Sequence, residues 1–163
     1  MACVRCPPFL VPEQASDSQL LLAQLAANLR ALRAKDNWTA SALAEQAHIS
    51  RRMLQLLEQG GVNVSLGAVN KLARALGVTT GSLLGKRPMA RQDGAALIEQ
   101  VLATNLVSAR RRLNLTQETL AQQSGVSRAV IAHIERQARN PSLHTLARLA
   151  AALDLSLEAL LSQ

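Results

Sequence analysis

The chain carries one helical module twice, at a fixed offset of 77 residues. Leu20–Lys86 aligns with Leu97–Gln163 without a gap, and 23 of the 67 aligned positions are identical. The identities include Asn28/Asn105, Arg33/Arg110, Thr39/Thr116, Ser50/Ser127, Arg51/Arg128, Glu58/Glu135 and Leu83-Leu84/Leu160-Leu161. A self-repeat of this kind decides the domain count before any residue is interpreted. It predicts two modules of roughly 65 residues, small but large enough to fold when well packed. The predicted partition is an N-terminal arm at 1–15, a first module at 16–85, a linker at 86–94 and a second module at 95–163.

Local signals describe the second module best. A first helix is predicted from about Ala95 to Leu113. Thr116 stands before Gln117-Glu118-Thr119 as an N-cap, and the helix it opens runs over Gln117–Ser124. Gly125 suits the left-handed position that ends a helix. Ser127 caps the next helix, which runs to about Glu135, so a helix, a short glycine turn and a second helix follow each other closely. Asn140-Pro141-Ser142 breaks the chain, and Ser142 opens a helix over Leu143–Leu153. Ser156 opens a last one over Leu157–Leu161. In the first module, Leu21, Leu22, Leu25, Leu29 and Leu32 form a helical stripe from Leu20 to about Lys35, with Ser16 or Ser18 as its cap. No segment alternates as a strand does. The fold class expected is all-α.

Hydrophobic residues make up 48% of the chain, yet Phe9 and Trp38 are its only aromatics. The cores must be built from Leu, Ala, Val and Ile. No apolar run is long enough to span a bilayer, and Met1–Phe9 lacks the apolar stretch of a signal peptide; a cytoplasmic protein is expected, with no membrane partner. The net charge of +7 sits on the modules. Residues 25–86 hold eight Lys/Arg against three Asp/Glu, and 102–163 hold seven against four. Basic folded modules are an electrostatic footprint of nucleic-acid binders, although a generally basic soluble surface has the same composition.

The stretch from Leu115 through Gln117, Gly125, Ser127 and Arg128 to Glu135, followed by Asn140-Pro141-Ser142, resembles the helix-turn-helix family of phage repressors and Cro. The resemblance covers 102–162 and, less closely, Leu25–Leu84. It implies two tandem five-helix, lambda-repressor-like helix-turn-helix domains that bind double-stranded DNA. The helix opened by Ser127 is then the one that enters the major groove. Arg128 faces a guanine or a phosphate, Ala129 a thymine methyl, and His133 lies further along the same face. Thr116 and Gln117 begin the preceding helix, whose free N–H groups suit a phosphate. Arg139 and Asn140 follow the reading helix and face the DNA backbone. Arg110 with Glu135, and Arg33 with Glu58, fall where the family forms a framework ion pair. The run Arg110-Arg111-Arg112 has a second interpretation as a phosphate clamp.

The first module departs from this pattern. Ala40, His48, Leu56 and Val64 stand where the second module has Gln117, Gly125, His133 and Pro141. Ser50, Arg51 and Arg52 nevertheless keep a capped, doubly basic helix start, and Gln55 adds a polar reader. Two roles compete for this module: reading its own half-site, or assembly through an apolar face of Met53, Leu56 and Leu57. Two modules in one chain can stand in for a repressor dimer, while a homodimer would present four modules to a longer operator.

Cys3 and Cys6 are the only cysteines. A structural zinc site takes four ligands, so the pair reads as incidental, and no metal or cofactor is expected. No catalytic motif or phosphate loop is present, and no further domain for a small-molecule ligand. An operator-binding transcriptional regulator, a repressor, is the function expected. The alternative is a protein-interaction factor, an antitoxin or anti-activator, which would show an apolar patch of several hundred Å² over the reading helices.

Overall fold

A computed structural model describes residues 13–85 and 97–162, with side chains from residue 19 onward in the first of these segments. Cys3, Cys6, the start of the arm, the linker at 86–94, and Ala95 and Ala96 lie outside the described residues. Ten helices follow in order: α1 (Glu13–Lys35), α2 (Ala40–Gln46), α3 (Arg51–Glu58), α4 (Leu66–Ala75), α5 (Thr80–Leu84), α6 (Ile98–Arg112), α7 (Gln117–Ser124), α8 (Arg128–Glu135), α9 (Leu143–Ala152) and α10 (Leu157–Leu161). Each module thus contributes five helices, and among the described residues there is no strand. None of these helices is long and apolar enough to cross a membrane.

Side-chain caps start eight of the ten helices. Thr39, Ser50, Ser65 and Thr79 in the first module, and Thr116, Ser127, Ser142 and Ser156 in the second, each sit in extended backbone and accept a hydrogen bond from an N–H of the first turn. Such caps satisfy donors that a helix start leaves orphaned, so these short helices begin where the sequence says they do. Gly125 ends α7 at φ 62°, in the left-handed region. His48 takes the equivalent place after α2 at φ 51° and is exposed. A side chain there crowds the following carbonyl. His48→Gly is expected to raise stability by about 0.5–1 kcal/mol, the relief of αL strain less the glycine entropy cost. A urea unfolding midpoint that stays put or falls would show that His48 carries no strain.

Two predicted starts differ from the structure. α1 begins at Glu13, so Ser16 and Ser18 lie inside it and 13–15 are helical instead of belonging to an arm. α6 begins at Ile98 behind Leu97, which makes no side-chain cap bond. The likeness between copies continues into the core. Asn28 Nδ2 donates to the carbonyls of Leu83 and Gly85 at 2.8 and 2.9 Å, and Asn105 Nδ2 does the same for Leu160 and Ser162 at 3.0 and 2.8 Å. The first helix of each module therefore holds the end of the last one, where carbonyls would otherwise lack partners.

The two modules close on each other by reciprocal contacts. Leu66 N donates to the Pro141 carbonyl and Leu143 N to the Val64 carbonyl, both at 2.8 Å, around an antiparallel bridge between Ser65 and Ser142. Asn63 Oδ1 accepts from His144 N at 3.2 Å, and Asn140 Oδ1 accepts from Gly67 N at 2.9 Å. Each of these contacts is matched by its partner 77 residues away, which is the signature of an isologous, two-fold interface. α5 packs on α10, and every residue of α5 is buried. The buried apolar residues of both modules form one cluster, from Leu25 and Leu29 through Leu83 and Leu84 to Leu160 and Leu161. α1 adds a contact to α9 of the other module.

Candidate nucleic-acid interface

α3 and α8 expose corresponding stripes. On α8, Ile131 and Ile134 are buried while Arg128, Ala129 and His133 are exposed and Ala132 is half-buried. Arg136, at the end of the helix, is exposed on the Arg128 side two turns later. On α3, Leu54 and Leu57 are buried, and Arg51, Arg52, Gln55 and Gln59 are exposed. The burial follows the 3.6-residue period, so the outward set is a continuous face along each helix.

The caps orient these faces. Ser50 Oγ accepts from Met53 N at 3.1 Å, and Ser127 Oγ accepts from Val130 N. Thr116 Oγ1 accepts from Thr119 N at 3.0 Å. All three side chains thus act first as helix starts, placing Arg51, Arg128 and Gln117 at the first helical positions behind them.

Behind the faces lie the framework pairs. Arg110 Nε and the Glu135 carboxylate are 2.7 Å apart, with side chains 14% and 8% exposed; Arg33 and Glu58 are 2.6 Å apart. Each arginine also donates to a loop carbonyl, Arg110 to Leu115 at 2.9 Å and Arg33 to Trp38 at 3.2 Å. One guanidinium therefore joins the first helix, the loop before the second and the end of the third. The hydrogen bond to Glu58, followed by desolvation acting in the opposite sense, raises the Arg33 pKa, so the group stays charged. Arg110-Arg111-Arg112 is split by this arrangement: Arg110 is structural, and Arg111 lines a groove beside α8.

That groove, about 620 Å³ in volume, brings Gln117, Arg128, Ala129 and Ala132 together with Arg111 and Arg136. Gln117 Nε2 donates to Glu135 Oε2 at 2.7 Å, so its amide is fixed by the framework pair it overlies. Arg111 belongs to the run read from sequence as a candidate phosphate clamp, whereas Arg136 did not figure among the residues expected from sequence. Arg136 is eight residues beyond Arg128, two turns along the same stripe, and that period is the signal that would have found it.

Arg139 is exposed in the loop after α8. Asn140, expected to face the DNA backbone, has its side-chain oxygen on Gly67 N across the module boundary. His144 and His48 are exposed. Met53 is 38% exposed, but Leu56 is half-buried and Leu57 belongs to the core, so these three form no apolar face. The other large hydrophobics exposed among the described residues, Leu20, Leu97 and Leu113, lie off α3 and α8. The apolar patch required by a protein-interaction role does not cover the reading helices.

A capped helix, a tight turn and a second capped helix with an outward basic stripe, all held by a partly buried ion pair to the first helix, define a helix-turn-helix DNA-binding module. Residues 106–160 match the family described as helix-turn-helix, and residues 24–84 match a helix-turn-helix domain. The control protein C.SmaI of Serratia marcescens is 46% identical over 66 residues, covering 40% of this chain and 79% of its own. A hypothetical transcription factor of Neisseria meningitidis serogroup B is 35% identical over 74 residues, covering 45% and 70%. Among solved structures, the restriction-modification controller protein C.AhdI of Aeromonas hydrophila is 37% identical, with a TM-score of 0.37, over 38% of this chain and 94% of that one. The chain belongs to the helix-turn-helix family and is an all-α, DNA-binding transcriptional regulator with two such modules in tandem.

Proposed function

We propose that the protein is a repressor that reads two operator half-sites in the major groove, α3 of the module at 16–85 taking one and α8 of the module at 95–163 the other. The observation that carries this reading is the recurrence of Arg51 and Arg128 as exposed first residues of equivalently capped helices. An arginine there matches guanine O6 and N7 in bidentate fashion. Arg52 and Gln55 on α3, and Ala129 and His133 on α8, supply the remaining base contacts. Thr116, Gln117 and Arg139 face phosphate, joined by Arg111 and Arg136 from the groove. Ser50 and Ser127 hold the helix starts against the backbone. Where the operator overlaps a promoter, occupation excludes polymerase, and repression is the outcome proposed.

The test is selection of bound genomic fragments by the wild type, Arg128→Ala and the double variant Arg51→Ala/Arg52→Ala at two salt concentrations. An enriched motif is expected for the wild type. Arg128→Ala should weaken binding about 5–150-fold, as for loss of one base-reading arginine, and the double variant by about 30-fold or more. Loss with Arg128→Ala alone would confine reading to the second module. Weak, salt-sensitive binding without a motif would overturn the operator-binding reading.

A further inference from the structure

The interface between the modules is two-fold in its backbone but unequal in its side chains. At the crossing of α5 and α10, Gly81 corresponds to Glu158. A Cβ at Gly81 would sit 3.3 Å from the Glu158 carbonyl oxygen and 3.4 Å from that of Leu161. A Cβ at Gly85 would run into the Glu158 carboxylate. The glycine side makes room for the glutamate side. In a pair of second modules Ser162 would stand where Gly85 does, with its Cβ on the opposing Glu158 carboxylate, and each Glu158 Cβ would press on the other's backbone; two first modules would leave the notch unfilled. The interface therefore favours one first module against one second module, which a single chain already contains.

The reading faces are unequal in the same register. Arg52 stands where α8 has Ala129, Gln55 where it has Ala132, and Gln59 where it has Arg136. Bidentate arginine selects guanine, glutamine selects adenine, and an alanine methyl packs on the thymine methyl. Resting on the DNA-reading role proposed above, we infer that one molecule is the complete binding unit and occupies its operator in one orientation. The half under α3 is specified by guanine and adenine at the positions faced by Arg52 and Gln55. The half under α8 carries thymine at the corresponding positions. Arg51 and Arg128 read a guanine common to both halves.

The experiment is selection from a random duplex library, followed by native mass spectrometry of the full chain on the selected duplex. The wild type is expected to yield a motif with unlike halves in fixed order and a complex of one chain per duplex. Arg52→Ala/Gln55→Ala, which removes the difference at both exposed α3 positions, is expected to select a more nearly palindromic motif, with at least a tenfold loss on the wild-type operator. Circular dichroism checks that this variant stays folded; Arg52→Lys alone, which keeps the charge but loses the bidentate fork, gives an independent reading. A palindromic wild-type motif, two chains per duplex, or a motif unchanged in the double variant would overturn the inference and leave DNA reading intact. Absence of any motif would instead remove the DNA-reading role on which it rests.

Discussion

Arg110→Ala is expected to destabilise the protein by about 3–5 kcal/mol, the range for removing one partner of a buried ion pair. Glu135 keeps only 8% of its side chain exposed where it lines the groove beside α8, so its carboxylate regains only part of a hydration shell when its guanidinium partner is gone. The Gln117 amide remains as a donor, but a neutral group offsets little of a buried charge. The Leu115 carbonyl loses its Arg110 bond as well, which loosens the loop that sets the start of α7. For a chain of this size melting as one unit, the midpoint should fall by roughly 6–20 °C. Arg111→Ala, next along α6 and exposed, should change stability by less than about 0.5 kcal/mol. Calorimetry of both variants decides the matter. If the two behave alike, the pair is not a framework element.

Gly81→Glu should have the second large effect. The new side chain enters a buried position whose Cβ already has backbone of α10 at van der Waals distance or closer, and it carries a carboxylate into that packed interface. Overpacking and an unpaired charge each cost about 1–3 kcal/mol or more, so a combined loss of at least about 2 kcal/mol is expected. The decisive comparison is Gly81→Ala, which adds only the Cβ that meets the α10 backbone. It should lose no more than about 1–3 kcal/mol. Equal losses for the two variants in urea unfolding would show that the carboxylate adds nothing to the cost of the Cβ.

The elements that sequence reasoning placed well are those whose signals are local and duplicated. Ser127, Ser142, Ser156 and Thr116 cap the helices they were expected to open, because a cap needs only its own first turn. The ion pairs were legible because Arg110 and Glu135 fall where the resembled family forms such a pair, and Arg33 and Glu58 repeat it at the same offset. Closure of the modules was not legible in detail, because its main contacts use backbone groups of Val64, Leu66, Pro141 and Leu143, which carry no side-chain signature. Asn140 shows the cost. Placed after a reading helix it suggested phosphate, whereas its oxygen completes the first turn of α4 in the other module. The start of α1 was hidden for a different reason: Pro12 directly before Glu13 belongs to the proline-containing arm by composition, yet proline is also common at a helix start. In the interface itself, Arg136 was missed because the outward stripe was followed only to His133.

The contact of α5 with α10 also changes what a mutation does. In a self-pairing chain, every substitution near the dyad appears on both sides, so a larger side chain meets its own copy and most changes are doubly penalised. Here the two sides are encoded at separate positions: Gly81 and Gly85 face the backbone and carboxylate of Glu158, while the second module has Glu158 and Ser162 at those places. The same freedom extends to α3 and α8, where one helix can acquire a new base preference while the other keeps the old one. Carrying both modules in one chain thereby releases each half of the molecule from having to match the other.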